Sequence, residues 1–290
     1  MQIIAKNLSY VYSEKSKSLA FKALDDLSLT VNEGEFFGIV GHTGSGKSTF
    51  VQHLNGLIKV EKNRGSLVVG ETDLSAKKFD YNSLRAKVGM VFQYPEYQLF
   101  AETVFEDVAF GLRNFFPKIT QEQIEEKVKN AISLVGLDYE KVKDKSPFEL
   151  SGGQKRRVAI AGVIVSEPEV LVLDEPVAGL DPVGKREFIN LLHQLHSTFV
   201  KTIIIVSHDM DLVAENCTKV AVFSKGKIEM QGTPKEIFSD YEKVVSLGLD
   251  LPVTAKLERE LKEKGVVVDS DLTVDGFISA YLEAVKGGDK

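Results

Sequence analysis

Residues 36–57 read FFGIVGHTGSGKSTFVQHLNGL, and inside them Gly41 to Ser48, GHTGSGKS, fits the pattern G-x-x-x-x-G-K-[ST]. The order of the parts decides the fold. Phe36 to Val40 is an unbroken run of apolar and small residues, the mark of a strand buried on both faces. A glycine-rich loop follows, and Thr49 to Leu57 then read as the body of a helix. Strand, loop and helix in that order direct backbone N–H groups and the positive end of the helix at one point, where phosphate fits. Gly41, His42, Thr43, Gly44, Ser45 and Gly46 form the cradle in this reading, with Thr49 just behind it. Lys47 adds a cation beside the β- and γ-phosphates, and Ser48 offers a hydroxyl to Mg²⁺.

Working outward, Leu27, Leu29 and Val31 alternate with Ser28 and Thr30, which predicts a strand, and Asn32 to Gly34 supplies the turn into Phe36. Downstream, Leu67 to Val69 and Val88 to Phe92 predict two further strands. From about 95 to 165 the period becomes helical. Val104, Val108 and Leu112 are spaced by four, and Ile124, Val128, Ile132 and Val135 form one face, opened by Thr120 with Gln123 and closed by Gly136. Strand and helix then alternate through Val170 to Leu173, a helix from about Pro182 to His196, TIIIV at 202–206, and Lys219 to Phe223. Lys225-Gly226-Lys227 predicts a hairpin turn and Thr233-Pro234 a helix start. The pattern is α/β with a mostly parallel, buried sheet. Beyond 240 the texture changes, with Val253, Leu257 and Leu261 on one helix and Phe277, Ile278, Tyr281 and Leu282 on a second. The expected division is therefore 1–240, with a helical part at about 95–165, and a small module at 241–290.

Two more motifs carry chemistry. VLVLDEP, Val170 to Pro176, ends a buried strand in Asp174 and Glu175; one carboxylate beside Mg²⁺ and a second near an attacking water suit hydrolysis. In LSGGQ, Leu150 to Gln154, Ser151 is a good helix cap, and Gly152 and Gly153 leave backbone N–H groups open to an anion. A nucleotide has one γ-phosphate, already held by the first loop. The second helix terminus therefore wants the nucleotide of another subunit.

With LSGGQ as its specific part, the chain resembles the ATP-binding-cassette (ABC) ATPases from residue 1 to about 240. The resemblance implies a P-loop NTPase core, a parallel sheet with an antiparallel β subdomain, plus the helical insertion and the C-terminal module. It implies ATP and Mg²⁺ as ligands, and roles for further residues. Gln93 would sense Mg²⁺ and face a membrane partner, Asp181 in AGLDP would contact the opposite subunit, and His208 would be the switch residue near the γ-phosphate. Tyr12 would stack on adenine, with Tyr10 as an alternative because the segment Ser13 to Phe21 is long. Val177 stands where the family often has a small hydroxyl residue. Within the family, Val91 to Gly111, VFQYPEYQLFAETVFEDVAFG, is similar to the ATPases of energy-coupling-factor transporters, importers of vitamins and of cobalt or nickel, and IVGHTGSGKST to the second member of their paired ATPases. The partners so implied are a second, homologous ATPase, joined with help from the C-terminal extension, a transmembrane coupling protein, and indirectly a substrate-binding membrane subunit. The implied place is the cytoplasmic face of the cell membrane. Tyr97, Leu99 and Phe100, flanking the loop after Pro95, are the expected membrane-partner contact.

Composition bounds the alternatives. A net charge of −6, with 27% charged and 43% hydrophobic residues, excludes global disorder and argues against nucleic acid as a partner. The longest apolar stretches are four or five residues, against the roughly 20 of a membrane-crossing helix. The start, MQIIAKNLSYVY, does not read as a signal peptide, and the single cysteine, Cys217, reads as a small packed hydrophobe in a reducing compartment. The rival function is a soluble ABC ATPase of translation or DNA repair, which usually carries two cassettes or a long coiled-coil insertion. A non-hydrolysing regulator is disfavoured by Glu175 and His208, and a GTPase by the lack of N-K-x-D. His53, His193 and His196 are expected on helix faces, and Lys155, Arg156 and Arg157 on a solvated one.

Overall fold

The computed structural model describes residues 1–12 and 20–287. Strands β1 (Ile3–Tyr12) and β2 (Phe21–Val31) pair antiparallel and lead into β3 (Phe36–Val40), whose loop opens α1 (Lys47–Leu54). β4 (Ser66–Val69), β5 (Thr72–Asp73), α2 (Tyr81–Lys87) and β6 (Val88–Val91) follow. The helical stretch holds α3 (Val104–Phe115), α4 (Gln121–Leu134), α5 (Tyr139–Val142) and α6 (Gly152–Ile164). Next come β7 (Val170–Asp174), α7 (Pro182–Thr198), β8 (Thr202–Val206), α8 (Met210–Asn216), β9 (Lys219–Ser224) and β10 (Lys227–Gly232). The chain ends in α9 (Pro234–Phe238), α10 (Tyr241–Ser246), α11 (Val253–Glu263) and α12 (Val274–Gly287).

Six strands form the central sheet in the order β10-β9-β3-β8-β7-β6, parallel except for the antiparallel edge strand β10. Its inner strands are apolar without alternation because both faces are covered. Phe36, Leu171, Leu173, Ile203 and Ile205 face the helical stretch, α7 and α8, while their neighbours Phe37, Val170, Val172 and Ile204 face α1 and the second sheet, β2-β1-β4-β5. The period-two alternation of one strand thus feeds two cores. At Gly38 the helical side comes so close that an added Cβ would sit 3.0 Å from Cys217 Sγ and 3.1 Å from Val213 Cγ1, which seats α8 directly on β3. Caps fix the helix starts as the sequence predicts: Thr120 with Gln123, and Thr233 with Glu236, form reciprocal capping boxes.

Several expectations need correction. The helix after the glycine loop runs Lys47–Leu54 instead of 49–57, because Gly46 already takes the capping position and Gly56, at φ +70°, turns the chain away. His53 lies on a face of α1 as expected, and that face is fully buried, with its Nδ1 against the Thr49 carbonyl. Arg156 is buried as well, not solvated; α6 is wrapped on both sides, and the middle residue of Lys155-Arg156-Arg157 points inward. Leu99 belongs to the main core at 6% exposure, whereas Tyr97 and Phe100 on either side are open. In the last fifty residues the helices form as expected, but Val253 and Leu257 stay exposed. The N-terminus of α11 is fixed instead by Thr254 and Ala255, which are buried, and by Val253 N–H donating to Asp211 Oδ1 at 2.7 Å. Val244, Leu249, Leu251, Ala255 and Leu272 join the helical-side core.

Leu99 therefore behaves as packing. Leu99→Ala should lower unfolding stability by about 3 kcal/mol, the usual cost of a large-to-small core change. Phe100→Ala, at 59% exposure, should cost under about 1 kcal/mol. Urea titration of the two variants checks this, and equal losses would overturn the placement.

Candidate active site

The glycine loop is shaped by what stands behind it. A Cβ at Gly41 (φ +149°) would lie 2.3 Å from the Phe223 carbonyl oxygen, and one at Gly46 (φ +104°) 2.4 Å from that of Ala23, so only glycine fits either place. Lys47 opens α1 and is only 6% exposed; its Nζ donates to the carbonyls of Gly41 at 2.6 Å and His42 at 3.0 Å. Burial holds its ammonium below the ordinary lysine range, against the pull of Glu175 and Asp174.

A cavity of about 550 Å³ opens over this loop, lined by Thr43 to Thr49, Gln93, Asp174, Glu175, Ala178, His208 and Phe21. Besides Phe21, four separate stretches of sequence supply it: the loop after β3, the end of β6, the end of β7 and the end of β8. Parallel strands place all four at one edge of the sheet, and ligands settle beyond the carboxyl ends of such strands. Asp174 closes β7, and burial raises its carboxyl above the usual range, opposed by a hydrogen bond from Ser48 and by the charges of Lys47 and His208. Glu175, with φ +50°, stands in the left-handed region that non-glycine residues avoid. Burial pushes its carboxyl up to about 7; the His208 backbone N–H opposes this and Asp174 adds to it. His208 Nε2 lies 3.1 Å from Glu175 Oε1, and its backbone nitrogen 3.4 Å from Oε2. Burial first, then Lys47, holds the imidazole below its ordinary value.

The other sequence candidates divide. Gly41 and His42 contribute carbonyls to Lys47 without lining the cavity, and the His42 ring turns back on the Thr43 carbonyl at 2.8 Å. Tyr12 is 41% exposed, its hydroxyl 3.3 Å from Thr49 Oγ1, while Tyr10 is half-buried and packs edge-on against Tyr12 and His53. The residues 13–19 that left the choice between them open lie outside the described residues. Phe21 is an aromatic the sequence reading missed: it pairs with Tyr12 across β1 and β2 and reaches the cavity. Only the strand register, not the local sequence, could have shown that. Leu150 to Gln154 do not line this cavity. Leu150 is buried, Ser151 and Gln154 form a capping box, and Gly152 and Gly153 face open space. Gly153 and Asp181 line a different cavity of about 510 Å³ against α7, where the Asp181 carboxylate accepts from Gly184 N–H at 2.8 Å and caps that helix.

The raised carboxyl of Glu175 has a stability consequence. Its folded value is about 7 against an ordinary 4.5, so the folded state carries no penalty below pH 4.5 and an increasing one as pH rises to 7. Two and a half pH units correspond to about 3 kcal/mol. In the nucleotide-free protein Glu175→Gln should melt with the parent near pH 4.5 and above it at pH 8. Melting curves across that range check the sign, and a gap that does not depend on pH would show Glu175 to be solvated.

The ABC transporter family pattern matches residues 24–178. The energy-coupling factor transporter ATP-binding protein EcfA2 of Clostridioides difficile is 48% identical over 99% of each chain. That of Clostridium tetani is also 48% identical, over 94% of this chain and 93% of its own. Among solved structures, cbiO1 of Clostridium perfringens, part of the ABC transporter complex cbiONQ, is 38% identical with a TM-score of 0.71, covering 89% of this chain and 98% of that one. A dimeric ATP-binding cassette in a post-hydrolysis state, bound to ADP and phosphate, is 26% identical with a TM-score of 0.69, covering 80% and 98%. Family pattern, near-full-length relatives and cassette fold agree: the chain belongs to the ABC transporter family, as an ATP-binding subunit of an energy-coupling factor transporter, an ATPase coupled to transport.

Proposed function

We propose that the cavity over Lys47 is where this subunit binds and hydrolyses ATP. The observation that carries the reading is the convergence of the phosphate loop, Gln93, Asp174 with Glu175, and His208 on one cavity from four separate stretches of chain. Loop N–H groups from Gly41 to Thr49 and the Lys47 ammonium take the phosphates. The Ser48 hydroxyl, the Gln93 amide oxygen and the Asp174 carboxylate are hard oxygen donors on the same cavity, and that donor set fits Mg²⁺. Bound there with the nucleotide, Mg²⁺ would offset charge on the β- and γ-phosphates. Glu175 takes the proton of the attacking water, and His208, in reach of its carboxylate, keeps it oriented. Tyr12, exposed beside Thr49, offers the face on which adenine stacks, with Phe21 as a second aromatic contact.

The separation of LSGGQ and Asp181 from this cavity supports pairing: Leu150 to Gln154 and Asp181 complete the nucleotide site of a second, homologous ATPase, in a dimer that closes on ATP. The cassette solved as a dimer with ADP and phosphate has this fold. The extension 241–290, with Leu257, Ile278 and Leu282 exposed, helps join the two subunits. A groove lined by Leu57, Arg85, Gln98, Phe100 and Phe110 receives the transmembrane coupling protein, which in turn holds the substrate-binding subunit. The place of work is the cytoplasmic face of the membrane; among the described residues no helix is long and apolar enough to cross it. The cargo, a vitamin or a cobalt or nickel ion, meets the membrane subunits and not this chain. The transporter relatives leave the soluble translation or repair reading without support.

In the assembled transporter, Lys47→Ala should abolish tight ATP binding. Glu175→Gln should keep binding and lower turnover by about 10² or more, the range of a lost general base. Nucleotide-binding and phosphate-release assays check both. Parental turnover in Glu175→Gln would sink the assignment of the base. Ser151→Arg should leave this chain's own cavity filled while stopping the site whose phosphates the partner holds.

A further inference from the structure

Among the described residues, Lys47 and Arg156 are the lysines and arginines buried to 6% exposure or less. Lys47 has a use in the cavity; Arg156 has none yet. A guanidinium taken out of water is costly unless its donors are met. Arg156 meets those of its two arms in one particular turn. One arm donates to the Pro176 carbonyl and the other to the Ala178 carbonyl at 3.0 Å. That turn begins at Glu175, the residue held at φ +50°, and is closed by Ala178 N–H donating to the Glu175 carbonyl at 3.2 Å. Backbone in the left-handed region persists only where its surroundings hold it. The fork of Arg156 is the side chain that grips the turn from outside.

The same side chain connects two further segments. It stands on α6, whose first turn is Gly152-Gly153-Gln154, and α6 packs against the 3-10 turn Pro95–Gln98 that follows Gln93. Glu96 on that turn has a buried carboxylate oxygen, Oε2, with no hydrogen-bond partner, and Arg156 Nε is likewise unpaired. The charge of Glu96 acts on the guanidinium and favours its cationic form against burial.

We propose that Arg156 is a positioning residue for hydrolysis, holding the Glu175 turn through the Pro176 and Ala178 carbonyls. The inference rests on the reading of Glu175 as the base. Arg156 does not touch nucleotide; it fixes the backbone from which the base projects, and it does so from the helix that presents LSGGQ to the partner. Two carbonyls two residues apart need a planar fork, which a lysine ammonium, a single point of charge, does not reproduce.

The test uses the assembled transporter and single-turnover phosphate release. Arg156→Lys and Arg156→Met should each lower kcat by about tenfold or more, while KM for ATP and equilibrium ATP binding stay within about twofold of the parent. Added to Glu175→Gln, Arg156→Lys should cause no further loss, because residues acting as one unit are not additive. Arg156→Met with Glu96→Gln should recover the melting temperature that Arg156→Met loses without recovering kcat. Parental kcat in Arg156→Lys would overturn the proposal, as would a full tenfold loss on top of Glu175→Gln, or joint recovery of melting and kcat in the double variant, which would make the pair structural only. A Glu175→Gln protein with parental turnover would instead remove the base assignment beneath it, a result visible before Arg156 is touched.

Discussion

The Lys47 ammonium is fenced from water by two carbonyl oxygens of its own loop, and in front of it stand two carboxyls, Asp174 and Glu175, both raised by burial. One cation facing two acids in a low-dielectric cavity is an unbalanced set, and burial favours the protonated form of each acid. Much of the architecture serves to keep this imbalance in place. Glycines at 41 and 46 let the loop press against the Phe223 and Ala23 carbonyls, and the parallel strands bring Asp174, Glu175 and His208 to the same edge.

Much of this was legible in the chain itself. Strand, glycine loop and helix are contiguous, so local pattern suffices to place the loop; Asp174 and Glu175 follow a run too apolar to be anything but an inner strand. The caps at Thr120 and Thr233 are local too, since the partner in each box is three residues away. What stayed hidden depends on tertiary neighbours. Three basic residues in a row at 155–157 look alike in sequence; which of them turns inward is set by the rotation of α6 against the turns after β6 and β7. Arg157, one position on, instead reaches the Val135 carbonyl and Glu187. Leu99 between two open aromatics depends on a 3-10 turn whose capping residue, Tyr94, stands at φ +55°. Phe21 became visible only through its register opposite Tyr12.

The last fifty residues show a different limit. Their helices were readable from amphipathic spacing, yet the stripe containing Val253 and Leu257 is not what attaches them. Attachment comes through Ala255, Leu249, Leu251 and a backbone bond to Asp211, on the helix that begins two residues after His208. Periodicity says that a helix has an apolar face; it does not say which molecule covers that face.

The seam at Gly38 gives the protein a silent probe of its own. The sulfur of Cys217 lies in the space a side chain at Gly38 would have taken, and burial drives the thiol far above its ordinary range, which disfavours the reactive thiolate. Because it is the chain's one cysteine, thiol alkylation reports on this one seam, where Cys217 at the end of α8 packs on β3. Under conditions where opening and closing outrun the reagent, the rate of thiol modification measures the free energy of local opening at that seam. A buried packing atom thereby becomes a native gauge of how firmly the helix behind His208 is seated.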